Sequence, residues 1–185
     1  MTISEKKKLE RYTFRKLRDG ISLNQRENVE KNVRIYIDSF VKGYKNFGYI
    51  AIYWPLKNDV DIRSLKKKFT LALPRCKDKK ELLFYPWDEK PLTKDFEGIL
   101  SPNNSFSLSY TQISMILVPC LSVDKNLTRL GYGGGYFDKL RTDNNWRNVP
   151  CIGVLTSNCV SMTPLTRAEW DIPLSGFITE KEIFV

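Results

Sequence analysis

The segment whose residue types are best suited to binding a ligand or to catalysis is RLGYGGGYFD, which runs from position 129 to position 138. Four of the chain's ten glycines lie in it, at positions 131, 133, 134 and 135. Glycine adopts positive φ readily and lets the main chain approach a ligand without Cβ atoms in between. Where such a segment leads into a helix, its N–H groups and the helix dipole attract anions. Arg129 can add a bidentate contact to phosphate, and Asp138 can bind a Mg²⁺ ion that bridges phosphates.

Two common nucleotide-binding motifs do not account for this segment. A Walker A loop and a dinucleotide-binding GxGxxG motif both require glycine where Tyr136 stands. An ordinary surface loop with aromatic packing therefore remains the alternative to a phosphate-binding loop.

The chain contains no histidine. This excludes Ser-His-Asp and Cys-His nucleophile systems, histidine-ligated zinc and histidine acid–base catalysis. The four cysteines form no CxxC pair, and the apolar neighbours of Cys120 and Cys151 predict buried free thiols. Any chemistry must therefore use carboxylates, lysine, arginine, hydroxyls, main-chain N–H groups or a bound ion.

The net charge of +9 is unevenly distributed along the chain. Residues 1–80 carry 21 Lys and Arg against 9 Asp and Glu, whereas residues 81–185 carry 9 against 12. A basic half predicts a polyanionic partner, which can be a nucleic acid, a phosphate-bearing small molecule or a polycarboxylate. Solvated lysines on helix surfaces are the alternative explanation for much of this charge.

Hydrophobic periodicity predicts the elements that position these residues. Helices are expected at 4–18 and, after the capping box of Ser22 and Gln25, along an apolar stripe from Val29 to Tyr44. A further short helix is expected from about Asp61, and another from about 135 to 140. Apolar runs rich in β-formers predict strands at 49–54, 69–74, 81–87, 113–119 and 151–157.

Strands that alternate with helices and are apolar on both faces predict a mainly parallel sheet covered by helices. We therefore expect an α/β fold with three layers, α/β/α, in a single domain that spans residues 1–185. Ligands of such sheets bind beyond the carboxyl ends of the strands, which is where the segment after the 113–119 strand would lie. With no apolar run that could cross a bilayer and no signal peptide, we expect a cytoplasmic protein without a membrane partner.

In the glycine-rich segment at 129–138 and the residues around it, the chain resembles the 5-formyltetrahydrofolate cyclo-ligases, also called 5,10-methenyltetrahydrofolate synthetases. RLGYGGGYFDKL, preceded by ILVPCLSVDKN at 116–126, is similar to that family's signature in about a dozen ordered positions. The resemblance continues, in the family's order, in four further segments: KLERYTFRKLRDGIS (8–22), YIAIYWPLKNDVDI (49–62), PLTKDFEGILSP (91–102) and AEWDIPL (168–174).

The resemblance implies an ATP- and Mg²⁺-dependent cyclisation of 5-formyltetrahydrofolate, with or without a polyglutamate chain, to 5,10-methenyltetrahydrofolate, with release of ADP and phosphate. In that reaction the formyl oxygen attacks the γ-phosphate, and N10 then closes on the activated carbon. Positioning and charge neutralisation dominate phosphoryl transfer, so a protein without histidine can catalyse it. The resemblance further implies a monomer that binds no nucleic acid.

The family's roles carry over onto matching positions of this chain. Lys7 and Arg11, one helical turn apart, match a basic pair that contacts the triphosphate, although Lys6 or Lys8 fits if the register slips. The ATP-binding positions are Lys7, Arg11, Arg129, Leu130, Gly131, Tyr132, Gly133, Gly134, Gly135, Tyr136 and Phe137. Arg129, Tyr132 and Asp138 are the expected catalytic residues. Asp138 and Asp171 match the Mg²⁺-binding acids, the alternatives being a helix N-terminal charge and an ordinary loop carboxylate.

The folate contacts implied by the resemblance are Trp54, Asp59 and the middle of the glycine-rich segment, that is Gly133, Gly134, Gly135 and Tyr136. Asp59 departs from the family pattern, in which Glu is usual, so its reach to the pterin is shorter. Two hypotheses from other classes stay open on the residues alone: a basic nucleic-acid-binding module, and a different small-molecule ligase or kinase that uses the same loop.

Overall fold

A computed structural model of the chain describes residues 1–43, 47–79 and 81–185. Its strands, in chain order, are β1 (Tyr49–Ala51), β2 (Leu71–Cys76), β3 (Leu82–Pro86), β4 (Thr93–Lys94), β5 (Leu100–Ser101), β6 (Ile113–Pro119), β7 (Ser122–Asp124), β8 (Arg129–Leu130), β9 (Cys151–Val154), β10 (Val160–Ser161), β11 (Gly176–Ile178) and β12 (Ile183–Phe184). Its α-helices are α1 (Ile3–Asp19), α2 (Leu23–Lys42), α3 (Tyr136–Leu140) and α4 (Asn144–Arg147).

Within the described residues, seven strands form a central sheet in the order β12-β11-β9-β6-β1-β2-β3. The five strands from β11 to β2 run parallel to their neighbours, and β12 and β3 pair antiparallel at the two edges. The prediction of an α/β fold with a mainly parallel sheet is confirmed.

Side-chain alternation along the central strands explains why helices cover both faces of this sheet. In β6, Met115 and Leu117 belong to the core on the side of α2, together with its buried Val33. Ile116 and Val118 point to the opposite core, where side chains of α1, α3 and α4 pack against the sheet. Because each face is apolar, each needs a helical layer, and the arrangement α/β/α follows.

The two long helices begin and end where the sequence predicts. Thr2 and Ser22 cap α1 and α2, and each cap side chain accepts the N–H of the residue three positions later. The side chain of that residue, Glu5 or Gln25, accepts the N–H of the cap residue, which completes a capping box. The helices end at Gly20 and Gly43. Tyr44, the last residue of the predicted apolar stripe, lies outside the described residues.

Several elements differ from the predicted bounds. β1 has three residues rather than the predicted six, because the chain leaves the sheet after Ala51 towards Pro55. The predicted short helix near Asp61 is a 3₁₀ turn at Arg63–Lys67, and β9 ends at Val154. The sequence does not predict the strands β4, β5, β7, β8, β10, β11 and β12, since segments of two or three residues carry no periodicity.

The four cysteines are buried free thiols, as the sequence predicts. Burial raises the pKa of Cys120 to about 12, so that its thiol stays protonated and unreactive. Among the residues described, no helix combines the length and the apolar character that a membrane crossing demands.

The central position of β6 predicts a large cost for truncating its inward side chains. Leu117 is 0% exposed, so Leu117→Ala should lower the free energy of unfolding by about 2–5 kcal/mol through lost burial and a residual cavity. Leu23→Ala, at a 68% exposed position of α2, should change it by less than about 0.5 kcal/mol. Urea denaturation followed by circular dichroism measures both. Equal midpoints for the two variants would show that β6 is not in the core.

Candidate active site

A cavity of about 980 Å³ opens beyond the carboxyl ends of the parallel strands. Its wall includes Trp54, which follows β1, and Pro119, the last residue of β6. The volume is at the upper end of the roughly 300–1,000 Å³ usual for small-molecule sites. All the residues that the sequence predicts for the site line this cavity: Lys7, Arg11, Trp54, Asp59, each residue from Arg129 to Asp138, and Asp171.

A small antiparallel hairpin, formed by β7 and β8, positions the glycine-rich segment (residues 129–138) at the cavity. β7 and β8 pair with Val123 opposite Arg129. Asp124 closes the turn between them, because its Oδ1 accepts the N–H groups of Asn126 and Thr128, each at 2.9 Å. The hairpin therefore fixes the position at which the segment starts, a short distance after the end of β6.

The glycine-rich segment has a conformation that side chains would oppose. Gly133 and Gly135 have φ of +113° and +70°, in the left-handed region that residues with a Cβ seldom adopt. Within the described residues, the N–H groups of Gly133, Gly134 and Gly135 donate to no protein acceptor. α3, which follows, has only five residues. The unpaired N–H groups of the segment, rather than a long helix dipole, therefore provide its attraction for anions.

Arg129 lies beneath the glycine-rich segment, and its side chain is 7% exposed. Its Nη2 donates to both oxygens of Asp138, at 3.1 and 3.3 Å, and its Nη1 donates to the carbonyl of Pro119 at 3.3 Å. Burial is the largest single influence and lowers the pKa of this guanidinium, but the charge and hydrogen bonds of Asp138, together with the nearby Cys120 and Cys151, raise the pKa of Arg129 overall. A Cβ on Gly131 would lie 2.9 Å from both terminal nitrogens, so this glycine leaves room for the guanidinium.

One side of α1 presents a row of four cations to the site: Lys7, Arg11, Arg15 and Arg18. Lys7 contacts the Asp171 carboxylate. Arg11 Nε donates to the carbonyl of Gly131 at 3.0 Å, and Arg15 Nη2 donates to the carbonyl of Tyr132 at 3.2 Å. The sequence analysis predicted only Lys7 and Arg11. The spacing of 4, 4 and 3 residues, which keeps all four on one side of a helix, was the available signal for the others.

The fourth cation of this row, Arg18, takes part in a buried network. It donates to Asp59 Oδ1 at 2.6 Å and to the Tyr132 hydroxyl, which itself donates to the same carboxylate oxygen. Asp59 Oδ2 accepts the N–H of Leu56 at 2.8 Å. Burial, and then the negative charge of Asp59, raise the pKa of Tyr132 far above its ordinary value. The Tyr132 hydroxyl is therefore a permanent hydrogen-bond donor at neutral pH.

The two acids predicted to bind Mg²⁺ are both paired with protein groups. Asp138 contacts Arg129, and Asp171 contacts Lys7 and accepts the N–H of Ala168 at 2.7 Å. No cluster of three or more possible metal ligands occurs among the described residues. Two carboxylates in the cavity wall nevertheless suit Mg²⁺, which is held in such sites by one or two carboxylates together with substrate phosphates and water.

Residues outside the predicted set contact two of the predicted wall residues, Tyr136 and Trp54. The Tyr136 hydroxyl lies within hydrogen-bond distance of Glu97, in the turn between β4 and β5, and of the carbonyl of Asp78, at 3.1 Å. Trp54 meets Trp87 edge to face, with ring centroids 6.1 Å apart. The sequence analysis missed Glu97, since nothing in its local sequence links it to a tyrosine 39 positions away.

The position of Arg129 predicts that Gly131 cannot carry a side chain. Gly131→Ala would place a Cβ against the buried guanidinium and disturb its contact with Asp138, so it should cost about 1–3 kcal/mol of unfolding free energy. Gly20→Ala is the matched control, because its Cβ would meet only the Leu17 carbonyl at 3.8 Å. Urea denaturation of both variants measures the difference. A Gly131→Ala protein as stable as the control would contradict the position of the guanidinium.

Comparisons with known proteins bear on this site. A family model described as the 5-formyltetrahydrofolate cyclo-ligase family matches residues 3–180. The chain is similar to a 5-formyltetrahydrofolate cyclo-ligase of Haemophilus influenzae, with 26% identity over 182 residues that cover 92% of this chain and 96% of the relative. It is also similar to that of Escherichia coli K12, with 31% identity over 78 residues, 42% of each chain.

Solved structures agree with this result. A 5,10-methenyltetrahydrofolate synthetase of Aquifex aeolicus superposes with a TM-score of 0.73 at 26% identity, covering 100% of this chain and 92% of the other. One of Mycoplasma pneumoniae has a TM-score of 0.71, covers 94% of this chain and 98% of its own, and at 22% identity supports the fold alone. The resemblance in the sequence is confirmed: the chain belongs to the 5-formyltetrahydrofolate cyclo-ligase family.

Proposed function

We propose that this protein converts 5-formyltetrahydrofolate and ATP into 5,10-methenyltetrahydrofolate, ADP and phosphate. The observation that carries the proposal is the convergence of two groups of residues on one cavity. The glycine-rich segment and the cations of α1 are suited to a triphosphate, and the turn from Trp54 to Asp59 is suited to a flat, hydrogen-bonding ring system. Membership of the family supplies the reaction.

The nucleotide half of the proposed site consists of the glycine-rich segment with Lys7 and Arg11. The N–H groups of Gly133, Gly134 and Gly135 have no protein acceptor in the part of the chain that the structure describes, so phosphate oxygens can accept them. Arg11 is anchored through Nε, and within those residues its two terminal nitrogens have no acceptor. Both are then available for a bidentate contact with phosphate. Leu130 and Phe137 complete this half of the wall.

Asp138 and Asp171 would hold Mg²⁺ at the edge of this half. When bound, the ion neutralises phosphate charge and orients the terminal phosphate. Each acid must then share its carboxylate between the ion and its present cation partner, Arg129 or Lys7. Lys7, released in part from Asp171, can turn to the phosphates.

Trp54, Asp59 and residues 133–136 form the proposed folate half. The Trp54 ring offers a face for stacking, and its edge-to-face contact with Trp87 fixes its orientation. Asp59 Oδ2 accepts one N–H, from Leu56, and a carboxylate oxygen can accept two. It can therefore receive a pterin N–H, even though its side chain is one methylene shorter than glutamate.

In the proposed reaction the formyl oxygen attacks the γ-phosphate and displaces ADP. N10 then closes on the activated carbon, and the C–O bond breaks to release phosphate, which takes up the N10 proton. The chain contributes positioning and charge. The free N–H groups of the glycine-rich segment stabilise negative charge on the transferred phosphoryl group. Arg129 and Asp138 keep the segment in shape, and Tyr132 fixes its start. No group that exchanges protons near neutral pH is needed, which agrees with a chain without histidine.

We also propose that residues 1–185 act as one domain and as a monomer in the cytoplasm. One sheet is shared by both hydrophobic cores, which supports a single domain. Four buried free thiols suit a reducing compartment. The nucleic-acid hypothesis has less support, since it gives no role to the glycine-rich segment or to the cavity that this segment lines.

The proposal predicts that the purified protein, given Mg²⁺, ATP and 5-formyltetrahydrofolate, forms the absorbing methenyl product. Lys7→Ala should raise the KM for ATP at least about tenfold, because a hydrogen bond to a charged group contributes roughly 1.5–3 kcal/mol. Steady-state absorbance kinetics measures both quantities.

Lys8→Ala is the matched control, since Lys8 is exposed on the same helix and does not line the cavity. Its kinetics should equal those of the wild type. No product at high protein concentration would refute the proposed reaction, and a larger effect at Lys8 than at Lys7 would refute the assignment of the nucleotide half.

The proposed metal site predicts a Mg²⁺ phenotype for Asp138→Asn. The Mg²⁺ concentration needed for half-maximal binding of an ATP analogue should rise at least roughly tenfold, a loss typical even of residues that only support a ligand. Calorimetric titration of the analogue at several Mg²⁺ concentrations measures it. Asp143→Asn is the control, because Asn can replace this acid as the cap of α4. Identical Mg²⁺ dependence in both variants would remove Asp138 from the metal site.

A further inference from the structure

One buried network joins three separate parts of the cavity wall. Arg18 belongs to α1, Asp59 to the turn after β1, and Tyr132 to the glycine-rich segment. Asp59 Oδ1 accepts from Arg18 Nη2 at 2.6 Å and from the Tyr132 hydroxyl, and Arg18 Nη1 donates to that hydroxyl. The side chains of Arg18 and Asp59 are 8% and 2% exposed. The three groups are 41 to 114 positions apart in sequence, so the network is a tertiary connection.

Tyr132 is held at both ends. Arg15 binds its carbonyl, and Arg18 and Asp59 bind its hydroxyl. The guanidinium carbon of Arg18 also lies 5.3 Å from the centre of its ring. Gly133, with its positive φ, follows immediately. The position of the Tyr132 hydroxyl therefore determines where the free N–H groups of the next three glycines lie.

The two carboxylate oxygens of Asp59 differ in the hydrogen bonds that they accept. Oδ1 is fully used by Arg18 and Tyr132, whereas among the described residues Oδ2 accepts only the Leu56 N–H and keeps one acceptor position. Asp59 also lines the cavity beside Trp54. A ligand that donates to Oδ2 therefore touches the same rigid carboxylate that holds Tyr132.

We propose that Arg18 and Asp59 are positioning residues that couple the folate half of the site to the nucleotide half through the Tyr132 hydroxyl. The inference rests on the proposed function, since it assigns the two halves to these ligands. A pterin N–H on Oδ2 restrains Asp59, Asp59 restrains Tyr132, and Tyr132 restrains the phosphate-binding N–H groups. Each ligand then binds more tightly when the other is present, and by linkage the factor is the same in both directions.

Tyr132→Phe is the decisive variant. It removes the hydroxyl that links the two halves but leaves Arg18 paired with Asp59, so no buried charge loses its partner. The measured quantity is the ratio of two dissociation constants for a non-hydrolysable ATP analogue with Mg²⁺, without and with saturating 5-formyltetrahydrofolate. Calorimetry should give a ratio within the usual roughly 5- to 150-fold range for the wild type and about 1 for Tyr132→Phe.

Arg18→Lys tests the positioning role. Lysine keeps the charge but lacks the fork that contacts Asp59 and Tyr132 together, so the ratio should also fall. The double variant should fall no further than Tyr132→Phe alone. Tyr53→Phe is the matched control, because its buried hydroxyl donates to the Val60 carbonyl in the same turn and does not touch the glycine-rich segment. It should keep the wild-type ratio even where it lowers thermal stability.

The outcomes separate this inference from the proposed function. Wild-type protein that binds the analogue and the folate with a ratio of 1, or Tyr132→Phe protein with the wild-type ratio, would overturn the coupling alone. An Arg18→Lys protein that is less stable but keeps the ratio would reduce Arg18 to a structural role and overturn its positioning role. Wild-type protein that binds neither ligand would overturn the proposed function, and the coupling with it.

Discussion

The glycine-rich segment depends on the cations of α1 for its shape. Four of its residues have no side chain to pack, and within the described residues the N–H groups of Gly133, Gly134 and Gly135 have no acceptor. Arg11 and Arg15 bind two successive carbonyls, and Arg18 binds the Tyr132 hydroxyl between α1 and the turn at 54–59. A main-chain polar group that is removed from water without a partner is costly. Because protein groups bind the carbonyls of the segment, its N–H groups are the ones left to bind a ligand. α1 is therefore part of the candidate site as well as a cover for the sheet.

Charge pairing is the second organising feature, and it follows from the same burial. Each acid with a predicted role has a cation within contact distance: Asp171 has Lys7, Asp138 has Arg129, and Asp59 has Arg18. A buried charge without a partner would cost several kcal/mol. A triphosphate and a divalent cation bring opposite charges into the cavity together, so each can replace one member of a pair. This pairing is compatible with the proposed joint binding of ATP and Mg²⁺.

Local sequence patterns predicted the parts of the fold that are long and periodic. α1, α2 and β6 agree within a residue or two where described, because capping boxes and apolar periodicity mark them. The short strands β7, β8, β11 and β12 form through pairing with distant segments, so no local sequence pattern predicts them. The candidate site shows the same division. The glycine-rich segment is evident as a motif, whereas Arg15 and Arg18 look like solvated helix charges until the fold brings Tyr132 beside them.

The strand order explains why two unrelated segments share one cavity. After β1 the chain continues to β2 on one side, and it later returns to place β6 on the other side of β1. The connections that leave β1 and β6 therefore diverge at their carboxyl ends, and a crevice opens at this switch point in every sheet of this kind. The turn at 54–59 follows β1, and the glycine-rich segment follows β6 through the β7–β8 hairpin. Residues of both segments line the cavity, so two ligands bound there can lie next to each other, as the proposed reaction requires.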